Sequence, residues 1–287
     1  MKSVFACDAC GADAPLEIKV AALHSNGQPL HVCSKCGLVY VRERRSSDEI
    51  AKDWSDNLYG SHYTSVLPAI KARLTYVAET ANDVLGLTGK SLCDLGAGEG
   101  TFLDYTRALG AEPYGVDPSG PNVVRMTRMG LPAVHVTIEN FGRTNTRRFD
   151  AASLLWTLEC CTNPRDILRV ARETLKPDGR LIYATSSRIL VPFKKLLGEY
   201  VVPVAADTHP LRPSARTMTK LLGACGFTVV YENRWRDSDV LLLIAKPGPV
   251  RNDLPGDDPK AVLSFFDRWH AESEHLKSSM LPVTAAA

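Results

Sequence analysis

The stretch CDLGAGEGTF, residues 93–102, decides how this chain is read. Gly96, Gly98 and Gly100 recur at every second position, directly after a short apolar run and directly before a segment with helical spacing. Glycine loses more backbone freedom on folding than any other residue. Three in one short ordered turn therefore point to left-handed backbone or to a close approach. A strand that enters a helix through such a turn ends at the rim of a parallel sheet, where open α/β sheets take their ligands. The loop amides and the helix amino terminus are then expected to face a polar group of that ligand.

Working outward, strands alternate with helices from Lys90 onward. The patterns predict strands near 90–95, 113–117, 133–137, 150–156, 180–185, 227–233 and 239–245. Helical periodicity falls at 101–109, 121–129, 164–175, 192–200 and 214–225. Strand–helix alternation implies a parallel sheet covered on both faces. The last two strands have no helix between them, so one of them runs antiparallel. The expected fold is α/β: a doubly wound, Rossmann-like, seven-stranded, mostly parallel sheet. Four pieces are expected: a cysteine-bearing module over 1–45, a helical linker over 46–88, the α/β domain over 89–246, and a helix with a tail over 247–287.

Asp117 ends the second strand, in YGVDPSG, where a carboxylate is placed to accept both hydroxyls of a ribose. The dinucleotide fingerprint is G-x-G-x-x-G; here the glycines are spaced two and two. Acids at Asp94 and Glu99 are poor neighbours for a pyrophosphate and suit an ammonium or a sulfonium. S-adenosylmethionine carries both.

Cys7-x-x-Cys10 and Cys33-x-x-Cys36 each precede a glycine, Gly11 and Gly37, able to turn the chain. In a reducing compartment such a quartet reads as four thiolates around structural zinc. The amino terminus, MKSVFACDAC, lacks the apolar region of a signal peptide. A cytoplasmic protein with reduced cysteines is expected. No apolar run approaches membrane length. With a net charge of +2, nothing demands nucleic acid or a membrane surface. Monomer and homodimer both remain open.

These residues resemble a family. DLGAGEG, YGVDPS and FDAASLLWTLECCTNPRDILRVARETLKPDGRLIYAT are similar to class I S-adenosylmethionine-dependent methyltransferases. The resemblance implies that Gly96, Ala97 and Gly98 form the donor loop, and that Asp94 anchors the methionine end. It implies that Glu139, Asn140 and Phe141 meet the adenine, and that Leu155 and Trp156 lie beneath the methionine portion. HVCSKCGLVYVRERRSSDEI resembles the zinc module that precedes bacterial methyltransferases of sugar and natural-product pathways, and NLYGSHY then implies that Tyr59, His62 and Tyr63 cover the cofactor or the substrate mouth. Sugar C-methyltransferases with this layout normally carry a long extra carboxyl-terminal domain, whereas about 40 residues follow the last expected strand here.

Relatives often carry Leu-Glu-His after the fourth strand; here Leu158-Glu159-Cys160 removes that histidine. His209, in ADTHPLRPSARTM, is the expected general base, because an ordinary imidazole titrates near neutrality. Arg212 and Arg216 follow it as candidate anion binders. The expected reaction is methyl transfer to a small-molecule acceptor, a sugar, nucleotide-sugar or natural-product intermediate. The alternative is an RNA methyltransferase that uses the zinc module and the basic run RERR (42–45) as a clamp.

Overall fold

Strands that are apolar on both sides must be covered on both sides. β1 (Ser91–Leu95), β2 (Glu112–Asp117), β3 (Ala133–His135), β4 (Phe149–Leu155), β5 (Leu175–Thr185), β6 (Phe227–Glu232) and β7 (Leu241–Pro247) meet that demand in one sheet. Their order is β6-β7-β5-β4-β1-β2-β3. β7 runs antiparallel to both of its neighbours, and the other pairs are parallel. The computed structural model describes residues 2–24, 28–58, 68–188, 195–201, 206–236 and 238–279. Tyr59, His62 and Tyr63, and residues 192–194 of the helix expected at 192–200, lie outside them; the described remainder of that stretch holds a short helix, Leu197–Val201.

Three helices cover one face: α1 (Pro68–Leu85), α2 (Thr101–Ala108) and α3 (Gly120–Arg128). Val77, Ala81, Phe102, Leu103 and Met126 pack there on Leu92 and Ile182. The other face takes α4 (Ile138–Thr144), α5 (Pro164–Thr174) and α6 (Ala215–Ala224). Phe141, Ile167, Val170, Met218 and Leu222 close that side. The helical linker expected over 46–88 is described on either side of residues 59–67. A capping box at Ser46 and Glu49 starts a short helix, Ser47–Asp53, and a wide π turn follows over Trp54–Leu58. Pro68 then opens α1, the position in a helix where proline is tolerated. α4 has no clear signal in the sequence, because Gly142 weakens it. That glycine is imposed by packing: a Cβ there would lie 2.4 Å from Val170 Cγ2 on α5.

The cysteine-bearing segment builds a second sheet from Pro15–Glu17, Leu30–Cys33 and Val39–Val41. Its fourth strand, Leu211–Arg212, comes from beyond β5 and pairs with Val39 and Tyr40. Its core (Ile18, Leu30, Val32, Val39, Val41) is completed by Val262, Phe266 and Trp269 of α7 (Pro259–Ser279). The pieces expected from composition therefore share a sheet and a core.

Arg44 fastens them further. It is fully buried and pairs with Asp8 through both terminal nitrogens, at 2.6 and 3.2 Å. Nη1 also donates to the Thr162 carbonyl at 2.7 Å, and Nε donates to that of Val41. The guanidinium lies 4.6 Å from the Phe5 ring centre. Removing one partner of such a pair leaves a buried charge alone, a loss of about 3–5 kcal/mol. Arg44→Ala is expected to lower unfolding stability in urea by about that amount. A loss under roughly 1 kcal/mol, the level of an exposed pair, would show that this one is dispensable.

Candidate active site

The glycine turn is built by backbone geometry. Gly96, Gly98 and Gly100 have φ of +86°, +53° and +81°, values that L side chains rarely adopt. A Cβ on Gly96 would sit 2.4 Å from Thr157 Cγ2, and one on Gly100 would sit 2.5 Å from Met126 Cγ. The loop amides differ from expectation. The N–H groups of Gly96 and Ala97 both donate to the Val116 carbonyl, at 2.8 and 3.0 Å, and that of Gly98 donates to Asp117 Oδ2 at 2.7 Å. They serve the end of β2 because the left-handed turn curls back over it. The glycines thus shape the rim, and these three amides are used by the protein itself.

Asp117 is 2% exposed and accepts two further bonds on Oδ1, from the Ser119 amide (2.9 Å) and the Asn122 side chain (3.2 Å). Burial pushes its carboxyl up, and these bonds pull it back down. Asp94, at the end of β1, is equally buried and takes one bond from Ser153 Oγ at 2.7 Å. With less compensation, burial raises it to about 7, and the charge of Asp117 adds to the effect.

A cavity opens between these two acids and the Ser47–Asp53 helix. Asp94, Gly96, Ala97, Gly98, Asp117, Glu139, Leu155 and Trp156 all line it. Asn140 and Phe141 do not. The Thr137 side chain caps α4 and sets its phase, so Asn140 turns to solvent, where it accepts from Arg143, and Phe141 turns into the core near Tyr114. The Ser47 hydroxyl donates to Glu139 Oε1 at 2.6 Å and so ties the linker helix across the opening. Ile50, Trp54, Ile70 and Leu74 give the cavity an apolar roof.

Arg73 is the charged lining residue among those that sequence reasoning missed. Among the described residues of the wall it is the sole cation. Its guanidinium lies 4.8 Å from the Trp156 ring centre, and its buried Nε has no partner. A signal existed: Ile70, Leu74 and Val77 make the inward stripe of α1, and Arg73 interrupts it. Trp156 has φ of +53°, and among the described residues no other non-glycine has a positive φ. Strain of this kind gathers where a site needs a side chain held in one direction. Its amide donates to the Ala184 carbonyl and its indole N–H to Ser186 Oγ.

His209 does not reach the cavity wall. It packs edge-on against Trp54 at 5.4 Å, so the indole stands between it and the space beyond. Although half-buried, it is pushed down to about 3 by loss of solvation, then by Arg212 and Lys195. Arg212 is itself buried and donates to the His209 carbonyl, and Arg216 is exposed. Glu159 is buried and raised to about 7 by desolvation, and it takes the Thr185 hydroxyl. Cys160 and Cys161 line the cavity as thiols that burial pushes up.

The four module cysteines meet. Their sulfurs lie within 4.8 Å of one another, with Cys7–Cys36 and Cys10–Cys33 both at 3.5 Å, and none is in a disulfide. Gly11 and Gly37 make the expected left-handed turns. This is a closed four-sulfur donor set that fits a tetrahedral ion. In the basic run, Arg42 pairs with Asp13, Arg44 with Asp8, and Arg45 with Asp53 and Asp207. Its charges are spent inside the chain. Among the described residues, no helix is long and apolar enough to cross a membrane.

Comparison with known proteins places the geometry. A family model described as "Methyltransferase domain" matches residues 37–232. The ubiquinone biosynthesis O-methyltransferases of Schizosaccharomyces pombe (mitochondrial) and Proteus mirabilis are each 30% identical, over 185 and 156 residues, or 59% and 50% of this chain. The chain spans 66% and 62% of their lengths. Among solved structures, 1,6-didemethyltoxoflavin-N1-methyltransferase from Burkholderia thailandensis, with bound 1,6-didemethyltoxoflavin and S-adenosylhomocysteine, is 17% identical. It matches at a TM-score of 0.54, over 82% of this chain and 99% of that one. Magnesium protoporphyrin IX methyltransferase from Synechocystis PCC 6803 with bound SAH is 16% identical, with a TM-score of 0.52, over 69% and 97%. These structural likenesses are likenesses of fold.

The turn itself is open to test. Gly96→Ala is expected to destabilise the chain by about 1–2 kcal/mol through its positive φ, with the Thr157 clash in addition. Thr157→Ala in the same chain should recover the clash and leave the φ cost. Urea unfolding that shows full recovery, or no loss at all, counts against a turn dictated by backbone conformation.

Proposed function

The chain belongs to the methyltransferase-domain family, and on that premise we propose that it transfers a methyl group from S-adenosylmethionine to a small-molecule acceptor. When bound, the donor supplies an electrophilic methyl on a sulfonium. The protein's own part is to bind, orient and exclude water. The observation that carries the reading is Asp117, a buried carboxylate held on three donors at the cavity rim. We assign it the ribose hydroxyls.

The remaining charges match the donor's zwitterionic end. Asp94 takes its ammonium, and Arg73, with an unpartnered buried nitrogen, takes its carboxylate. Glu139 borders the adenine side with Gly96, Ala97 and Gly98 at the turn, and Leu155 and Trp156 floor the methionine portion. Asn140 and Phe141 support that wall from outside it, and Tyr63 belongs to the proposed cover. His209 holds Trp54 by edge contact; a direct role as base requires the indole to move aside. The thiol quartet is assigned structural Zn²⁺.

The acceptor fits the space under Ile50, Trp54 and Leu74, which favours a partly apolar natural-product intermediate over a free sugar or a nucleotide-sugar. The relatives' names point to a hydroxyl oxygen as the receiving atom. The internal pairing of the RERR arginines leaves the RNA reading without its clamp.

Calorimetry with S-adenosylhomocysteine is expected to show one site per chain. Asp117→Ala should weaken it by about 1–3 kcal/mol, since polar partners are stranded. Unchanged affinity would overturn the ribose assignment.

Asp94 sets a pH dependence. A carboxyl raised to about 7 is neutral below that pH and ionised above it, and an ammonium prefers the ionised form. Affinity should therefore rise about tenfold from pH 6 to pH 8. Asp94→Asn should remove the slope and bind weakly at both ends. An identical slope in the variant places the titration elsewhere.

A further inference from the structure

Away from the cavity, two histidines and a glutamate converge where the cysteine module meets α7. His24 follows a short helix, Lys19–Ala22. His270 and Glu274 stand four apart on α7, a spacing that puts them on one face. One ring nitrogen of each histidine and one Glu274 oxygen lie within 4.8 Å of one another. The rings are 6.0 Å apart and tilted by 54°.

One nitrogen of each ring, His24 Nε2 and His270 Nδ1, is buried without a hydrogen-bond partner. Buried ring nitrogens ordinarily have one. Two orphans side by side, next to a carboxylate, are what ligands of a single ion present.

The frame around them is fixed. Trp269, beside His270, donates its indole N–H to the Lys195 carbonyl at 3.0 Å. Ser273, beside Glu274, accepts from the Leu197 amide at 2.9 Å and donates to the Trp269 carbonyl. Gly198 lets the His24 ring sit close, since a Cβ there would meet Nδ1 at 3.3 Å.

We propose that His24, His270 and Glu274 form a second metal site, separate from the thiol quartet, for a divalent transition ion of the zinc type. Imidazole with one carboxylate suits zinc and its neighbours, whereas calcium and magnesium want oxygen alone. Three protein ligands leave a tetrahedral position open to water. Glu274 is exposed and gives the ion a way in; Lys277, now 2.7 Å from Glu274 Oε1, yields that oxygen or leaves the other to the ion. The bound ion clamps α7 to the module. This site does not depend on the methyl-transfer reading.

The test titrates the full chain with Zn²⁺ against a chromophoric chelator. Native chain is compared with His270→Gln, Glu274→Gln and His24→Gln/His270→Gln. The native chain is expected to take up one more ion than the double variant. Each single variant should bind that ion more than about 10-fold weaker, a range that even an outer partner of a ligand commands. Co²⁺ loading of the same proteins reports the quartet separately through its thiolate charge-transfer band. That band should be equal in all of them, which shows that the variants are folded. Equal stoichiometry and affinity in every protein, with the band intact, overturns the site. If the double variant loses the band, the two single variants, read against native chain in the same titration, decide the question.

Discussion

The bond from the Gly98 amide to Asp117 couples the two halves of the site. It exists because the chain between β1 and α2 turns through left-handed backbone and folds back over the end of β2. The turn in turn rests on Thr157, after β4, and on Met126 of α3, which occupy the space that side chains at positions 96 and 100 would need. The end of β1, the end of β2 and the turn after β4 are thus one packed unit. A carboxylate at the rim pays its desolvation through three fixed donors, so it is already oriented before any ligand arrives.

The same economy joins the module to the sheet domain. A cysteine segment with three short strands has too little apolar surface to stand by itself. Here its sheet borrows Leu211–Arg212, its core borrows α7, and Arg44 reaches the Thr162 carbonyl just after the turn that lines the cavity. The tail adds a contact at the second knuckle, where the Asp257 amide donates to the Cys36 carbonyl and a Cβ on Gly256 would overlap that same oxygen. The quartet therefore sits in a frame made by three distant parts of the chain, and its four sulfurs converge within that frame.

Much of this was legible in the sequence. The seven strands, the reversed one, the rim acids and the quartet all follow from signals that are local: apolar runs, turn glycines, a strand-end aspartate and paired Cys-x-x-Cys. What was not legible is non-local. That Gly96 and Ala97 would give their amides to Val116, rather than to a ligand, depends on how far the turn curls. That His209 would stand behind Trp54 depends on the π turn that follows the Ser47–Asp53 helix and carries Trp54. Of the three residues expected beside the adenine, Glu139 lines the cavity and Asn140 and Phe141 do not, because the phase of α4 is set by one threonine cap and by a glycine pressed against α5. Arg73 was visible as a charge in an apolar stripe, and its meaning came only from Trp156 opposite it.

The charges of the cavity bear on why its aromatic wall is strained. Asp94 and Asp117 are both buried and mutually unfavourable, and their sum repels any anion at the rim. Arg73, from α1, is the counterweight on the wall, and its charge also pulls down the buried Glu159 carboxyl. The Trp156 ring lies 4.8 Å from that guanidinium, and the residue is itself tied by its amide to the Ala184 carbonyl and by its indole N–H to Ser186. The positive φ at position 156 thus falls on the residue whose ring meets the one cation among the described residues of the cavity wall.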